Sequence, residues 1–325
     1  MTHQVLGKPA LQENKSNFSP SSPEEYSSWI LGKPHSEKKG RVLELTLLKR
    51  PLVNKEIAFY QITQPDELFA ALLSQKLPKA QEFSTTYKWY TYESANHFYV
   101  DFAHPSVFGG GFRGFGNVQE ETLFCEFPTL PELAFATRDH PIHASKANDP
   151  TPFIIPNLKR EVVLRDLYGQ ALEQIALDDI TSRIEKLDPQ KEPAVNIIGM
   201  AAIHWAGDEN QYQAHDLKYL LKAAYLGFYG AKQLVPNATI HTAPWGCGVF
   251  LNSEKTLTVI QTLAAVMAEV DLVFEGLGNP SNPNYTTEFV EEAKKLVMGK
   301  SSAEEVLQAI LEHQEKDRSW SPKMA

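Results

Sequence analysis

The chain has 325 residues, 42% of them hydrophobic, and a formal net charge of -9. That length and apolar content suit one large or two small domains with a sizeable core. The acidic balance excludes a protein that holds nucleic acid by bulk electrostatics, which needs clustered Lys and Arg. Two cysteines, Cys125 and Cys247, are too few for a disulfide framework and fit a reducing, intracellular compartment. No Cys/His cluster has zinc-ligand spacing, so no metal is expected. The first residues do not read as a secretory signal, although a role in secretion as an effector stays open. No apolar run approaches the ~18 residues of a membrane span.

Residues 1–40, rich in Ser, Pro, Lys and Glu and without periodicity, read as a largely disordered N-terminal segment. Val42 to Leu48 and Ile57 to Ile62 read as strands, and Asp66 to Leu77 has helical periodicity. Residues 41–84 are therefore expected to be accessory elements packed on the main domain. The aromatic, β-branched runs Thr85 to Tyr92 and Phe98 to Ala103 predict strands. A glycine-rich loop comes next, then a helix from about Val118 and a short one from Pro131 to Ala136. Residues 137–160, rich in proline, read as loop, and Val162 to Leu177 as a helix with an ambiguous start. The apolar run Ala194 to Ile203, interrupted at Asn196, predicts a strand buried on both faces. Beyond it the pattern predicts a long helix Tyr212 to Val235, a strand Thr239 to Ala243, a helix Thr256 to Glu269 and a strand Leu272 to Leu277. Helices Thr286 to Met298 and Ala303 to His313 come last, and residues 314–325 read as a frayed tail. Alternating strands and helices across residues 85–313 predict an α/β main domain with helices on both faces of its sheet.

Two segments carry chemistry. In the first, GGGFRG at Gly109 to Gly114 formally matches the dinucleotide-binding pattern G-x-G-x-x-G. There, however, the first glycine directly follows the strand; here His104 to Phe108 intervene. A glycine-rich turn without a ligand is the bland alternative. Gln119, Glu120 and Glu121 then open a helix, with Asn117 as candidate N-cap. Acidic first-turn residues are favoured by the helix dipole, so two solvated carboxylates are the bland reading of the pair. Neighbouring helical residues point about 100° apart, so one glutamate aims into a cleft while the other orients it or grips a hydroxyl. Glycoside hydrolysis uses that division of labour.

The second segment, NATIHTAPWGCGVFLNS at residues 237–253, reads as strand, glycine loop and helix with Ser253 as N-cap. That arrangement cradles phosphates with backbone N–H groups. Trp245 and Phe250 either wall a pocket or pack in the core. Cys247 lies between two glycines, with no adjacent charge to activate it, and reads as a small packing residue.

Together the two segments resemble the catalytic domain of the poly(ADP-ribose) glycohydrolase family, a branch of the macrodomain fold. The family signature of three glycines, a short spacer and Gln-Glu-Glu stands here as GGG-FRGFGNV-QEE. Val100-Asp101-Phe102-Ala103, Pro131-Glu132-Leu133, KAAYLGF at residues 222–228, and Trp245-Gly246-Cys247-Gly248 with Phe250 match further motifs in order, so the resemblance spans about residues 85–280. It implies a three-layer α/β/α macrodomain-like mixed sheet, here with an N-terminal extension.

The resemblance also implies roles. Glu121 would be the general acid and base, and Glu120 would hold the ribose being cleaved. Gln119 would help hold the adenine end, and Asp101 would support the site. Gly109, Gly110 and Gly111 would clasp the diphosphate together with Gly246, Cys247, Gly248, Val249 and Phe250. The implied activity is hydrolysis at C1″ of ADP-ribosyl groups, with ADP-ribose or an ADP-ribosylated protein as partner, no nucleic acid or membrane, and no cofactor. Some residues depart from the family. Its Asn after Val-Asp-Phe-Ala is His104, its Gly-Asn before Trp-Gly-Cys-Gly is Ala243-Pro244, and its Gly-Gly-Asp is Leu251-Asn252-Ser253. Leu277 stands where an aromatic is expected, and Tyr168 is the nearest candidate for the family's adenine-loop tyrosine. These changes surround the ligand. They leave open cleavage of polymer, removal of a single ADP-ribose from protein, and binding without catalysis.

Overall fold

The computed structural model describes residues 8–32, 36–78, 81–88, 90–93, 95–106, 118–205, 211–276 and 285–322. One mixed sheet organises them. Its strands are β1 (Ala10–Phe18), β2 (Lys55–Thr63), β3 (Phe83–Thr85), β4 (His97–Phe102), β5 (Phe153–Lys159), β6 (Ala194–Met200), β7 (Thr239–Thr242) and β8 (Asp271–Phe274), in the spatial order β1-β2-β5-β6-β4-β7-β8-β3. The run β6-β4-β7-β8-β3 is parallel throughout, whereas β5 pairs antiparallel with both β6 and β2, and β1 antiparallel with β2.

Strand periodicity sorts side chains to two cores. Phe98 and Val100 of β4, with Ile198 and Met200 of β6, pack against the long helices α6 (Ala214–Leu234) and α7 (Glu254–Ala268). Tyr99 and Ala103, with Ile197 and Ala201, face the opposite layer. That layer is built from α1 (Pro23–Leu31), α2 (Glu37–Leu43), α4 (Gln119–Glu126) and α5 (Thr129–Ala136). The remaining helices are α3 (Asp66–Leu73), α8 (Thr287–Met298) and α9 (Ala303–Lys316). The expected three-layer arrangement is therefore present. In the KAAYLGF motif, Gly227 lets α6 approach the sheet, since a Cβ there would lie 2.9 Å from Ile198. Lys222 of the same motif is enclosed and bonded to Asp66 of α3 and to Asp149, at 2.6 Å each.

Several expectations are corrected. Within the first forty residues, β1 pairs with β2 along its whole length, and Ser22 caps α1 with Pro23 in the first turn. Phe18, Tyr26 and Ile30 are fully buried, with Phe18 and Tyr26 packed edge-on against Phe135. A few large apolar residues suffice to dock a polar segment. Val42 to Leu48 is not a strand: α2 runs into a π-helical turn, Glu44–Leu48, and Lys39, Val42, Leu43, Thr46 and Leu47 form its buried stripe. That spacing is helical. Thr85 to Tyr92 is strand only as far as Thr85. Within the supposed loop 137–160, β5 lies in the middle of the sheet despite Pro156. A register shift opposite Val195 and Ile197 accommodates it. The supposed helix 162–177 is a short strand, Val162–Leu164, followed by one helical turn, Ala171–Gln174. The tail is not frayed to its start, because Trp320 is buried and its carbonyl accepts from the Thr256 hydroxyl at 2.6 Å.

Candidate active site

The parallel strands β4, β6 and β7 end on one side of the sheet, the side where open α/β sheets bind ligands. Strand parity puts Asp101 on the α4 face with Tyr99 and Ala103. Val118 takes the N-cap position of α4 and no side chain caps it there. Gln119 registers the helix instead: its side-chain carbonyl accepts the Phe102 N–H, and its amide N–H donates to the Val100 carbonyl, both at 2.9 Å. The amide thus behaves like one residue of a neighbouring strand. Any adenine contact of Gln119 would be a second task for a group already bonded to β4.

Locked in this way, the first turn of α4 carries its acids inward. Glu120 and Glu121 are 5% and 4% exposed, so neither is a solvated first-turn carboxylate. Glu120 Oε1 accepts the His104 N–H at 3.2 Å. Among the described residues, Glu121 Oε2 is buried without a hydrogen-bond partner, as are both oxygens of Asp101. Burial raises the proton affinity of Glu121, opposed by Lys39 and by the backbone N–H groups of the helix start. Asp101 is pushed up to about 8, by burial first and then by the Glu121 charge. Repulsion between two such groups is mutual, so the pair titrates as a unit. The side chain of His104 is exposed and accepts the Ser106 N–H at 3.2 Å. Gly109, Gly110 and Gly111 lie outside the described residues, as do Asn117 and Leu277.

The second segment bends sharply after β7. Trp245 is fully buried and its indole N–H donates to the Met200 carbonyl at 3.0 Å. It therefore anchors the loop and does not wall a pocket with its ring. Gly246 adopts φ 70°, and a Cβ there would sit 2.5 Å from that of Ala202. Only glycine takes this position without strain. Cys247 is buried with its thiol on the Trp245 carbonyl, as its packing role predicts. Gly248 has open space where a Cβ would be, Val249 is exposed, and Phe250 is half-buried with its carbonyl on the Trp205 N–H. Leu251, where the resemblance has glycine, keeps a left-handed φ of 60°. Ser253 caps α7 by accepting the Thr256 N–H.

One carbonyl joins the two segments. Met200 O, at the end of β6, accepts both the Ala103 N–H, at 3.1 Å, and the Trp245 indole. Asn252 extends the joint: its amide donates to the carbonyls of Ile203 and Gly246 at 2.8 and 3.0 Å, and its oxygen accepts the Tyr212 hydroxyl at 3.2 Å. Sequence reasoning missed Met200, Tyr212 and Lys39. It did note Tyr168, which is exposed and within electrostatic reach of Glu121. Among the described residues, no group of three or more His, Cys, Asp or Glu side chains is placed to hold a metal ion.

A family profile described as poly(ADP-ribose) glycohydrolase, Macro domain fold, matches residues 73–283, well over half of the chain. The chain belongs to the poly(ADP-ribose) glycohydrolase family. A curated member, poly(ADP-ribose) glycohydrolase 1 of Caenorhabditis elegans, is 26% identical over 218 residues, covering 60% of this chain and 25% of that one. The chain thus spans about a quarter of that relative's length. Among solved structures, a mutant poly(ADP-ribose) glycohydrolase from Thermomonospora curvata is 17% identical with a TM-score of 0.45, covering 72% of this chain and 84% of that one. The Deinococcus radiodurans poly(ADP-ribose) glycohydrolase in complex with ADP-ribose is 18% identical with a TM-score of 0.44, covering 71% and 90%. The family match begins after β1, β2 and α2, so the segment that carries Lys39 lies outside it.

Proposed function

We propose that this protein hydrolyses the glycosidic bond at C1″ of ADP-ribosyl groups, with Glu121 as general acid and then general base. The reading is carried by one observation: Glu121 is buried at the start of α4 with an unpartnered oxygen and a raised proton affinity. A group that must give up a proton near neutral pH needs that state. Protonated Glu121 donates to the departing oxygen as the C1″–O bond breaks, leaving an oxocarbenium-like ribose. The resulting carboxylate takes a proton from water as the water oxygen bonds to C1″, and the acid is restored. Glu120, fixed by the His104 N–H, holds the ribose. The loop from Gly246 to Phe250 holds the diphosphate, a task the family resemblance assigns also to Gly109, Gly110 and Gly111.

Family membership supports ADP-ribose as the ligand, and the matched glycohydrolases include one solved with ADP-ribose bound. His104, exposed beside Glu120, favours a second substrate form, a single ADP-ribose on a protein side chain, because its ring stands where the family carries a shorter amide. The two free buried cysteines suit a reducing interior. Incubation with poly(ADP-ribose) and with mono-ADP-ribosylated protein, tracking free ADP-ribose, tests the activity and separates the substrates. Glu121→Gln should lower release by about 10²–10⁴-fold while ADP-ribose still binds. Undiminished turnover removes Glu121 from the role, and tight binding with no turnover on either substrate makes the protein a reader.

A further inference from the structure

Lys39 is fully enclosed, at 0% exposure. Lysine is almost never so buried unless it is paired. Its helix, α2, is clamped at both ends. Ser36 accepts the Lys39 N–H at 3.1 Å and donates its hydroxyl to the Glu173 carboxylate at 2.9 Å, while Lys38 Nζ reaches the Glu173 carbonyl. Further along, Thr46 meets the Cys125 thiol of α4. The buried stripe of α2 and its π-helical turn shares one core with Leu123, Phe124 and Cys125. The ammonium of Lys39 therefore looks onto the inner face of the acid-bearing helix.

Burial lowers the proton affinity of Lys39, and the groups that oppose it are Cys125, Glu121 and Glu120 of α4 and Glu173 of the helical turn at residues 171–174. Burial pushes the Cys125 thiol up to about 11, so near neutrality it carries no charge. Glu173 is half-buried and already bonded to Ser36. Among the described residues, the buried carboxylates that act on Lys39 are Glu120 and Glu121. Around Glu121 stand also Asp101 of β4 and Tyr168 on the loop before that helical turn. Without a positive neighbour, an enclosed glutamate beside Asp101 would part with its proton at great cost and could not complete the first half of the reaction.

We propose that Lys39 is a positioning residue for the reaction. Its buried ammonium, delivered by the N-terminal segment, sets the charge balance of the Glu120–Glu121 pair and so the pH range over which Glu121 exchanges its proton. This inference rests on the hydrolase reading for its catalytic consequence, while its electrostatic content stands independently.

The test is a pH titration of the Glu121 carboxyl by its infrared C=O band, assigned by its loss in Glu121→Gln. It compares wild type, Lys39→Met, Lys39→Arg and, as a control on the same helix, Lys38→Met. Lys39→Met should move the Glu121 midpoint upward by on the order of one pH unit, and the alkaline limb of ADP-ribose release should move with it. Lys39→Arg should restore both, and Lys38→Met should move neither. Should Lys39→Met not fold, Lys39→Gln carries the same comparison. A midpoint that ignores loss of the Lys39 charge in a folded variant overturns the proposal. If the band moves but wild type releases no ADP-ribose, the hydrolase reading fails and the role of Lys39 stands. If release is robust but band and limb both ignore Lys39, the reverse holds.

Discussion

Asp101 and Glu121 occupy one water-poor junction between β4 and α4, and neither completes its hydrogen bonding there among the described residues. Two carboxyl groups in such a place cannot both ionise cheaply. The arrangement costs folding stability at neutral pH and gives the site a group that keeps a proton where ordinary carboxylates have lost theirs.

The Asp101 shift, from 3.8 to about 8, sets a pH dependence of stability. Between those values the folded protein retains a proton that the unfolded chain has released. Stability therefore falls as pH rises through this window, and the loss is complete above the folded value. Asp101→Asn should abolish this slope, leaving the variant more stable than wild type at pH 9 by on the order of a few kcal/mol and converging with it near pH 4. Urea unfolding at several pH values measures the difference, and parallel slopes would show that Asp101 ionises normally.

Gln119 is expected to act on structure before it acts on ligand. Gln119→Ala strands the Phe102 N–H, while the Val100 carbonyl keeps the Tyr90 hydroxyl at 2.8 Å; the loss should cost about 1–3 kcal/mol of stability and slow turnover by loosening the first turn of α4. If the adenine contact were its main task, ADP-ribose affinity would fall while the unfolding midpoint stayed put.

The two glycines of the second loop should separate two kinds of damage. Gly246→Ala forces a left-handed φ on an L-residue and drives its Cβ into Ala202, so the melting temperature should drop, with the φ alone worth about 1–2 kcal/mol. Gly248→Ala meets no atom within 4 Å, and its stability should stay within about 0.5 kcal/mol of wild type. A phosphate resting on this loop would nevertheless be pushed away, so ADP-ribose affinity measured by calorimetry should fall at Gly248→Ala without loss of stability. Unchanged affinity would show that the diphosphate lies elsewhere.

What was legible in the sequence has a physical pattern. The glycine triplet with Gln119 to Glu121, and the loop from Trp245 to Phe250, stand out because they set rare residues at the fixed spacing of the family's motifs. β4 reads clearly from its aromatic and β-branched residues, and β6 because a strand buried on both faces is mostly apolar. Other features were hidden for identifiable reasons. β5 contains Pro156, and only pairing with a distant, irregular partner strand makes room for it. Leu43 to Leu47 alternates leucine with Glu44 and Thr46, which mimics a strand and masks the helical spacing of the buried stripe from Lys39 to Leu47. Lys39 itself could not be found locally, since a lysine on a seven-residue helix is exposed unless something remote encloses it. The ring of Trp245 stayed open between pocket wall and core because sequence does not reveal which way a tryptophan turns; its full burial and the bond to the Met200 carbonyl place it in the core.

The sheet order has a consequence for where this molecule can be divided. The family profile match begins at residue 73, yet β2 covers the outer side of β5, and β1 in turn covers β2. A polypeptide trimmed to the recognisable segment would present β5 as a bare row of unpaired N–H and C=O groups, a template for other chains to join. It would also lose the C-terminal turn whose Trp320 carbonyl receives Thr256 of α7. The unit that folds is longer than the unit that is recognisable, and the added residues work as an aggregation guard.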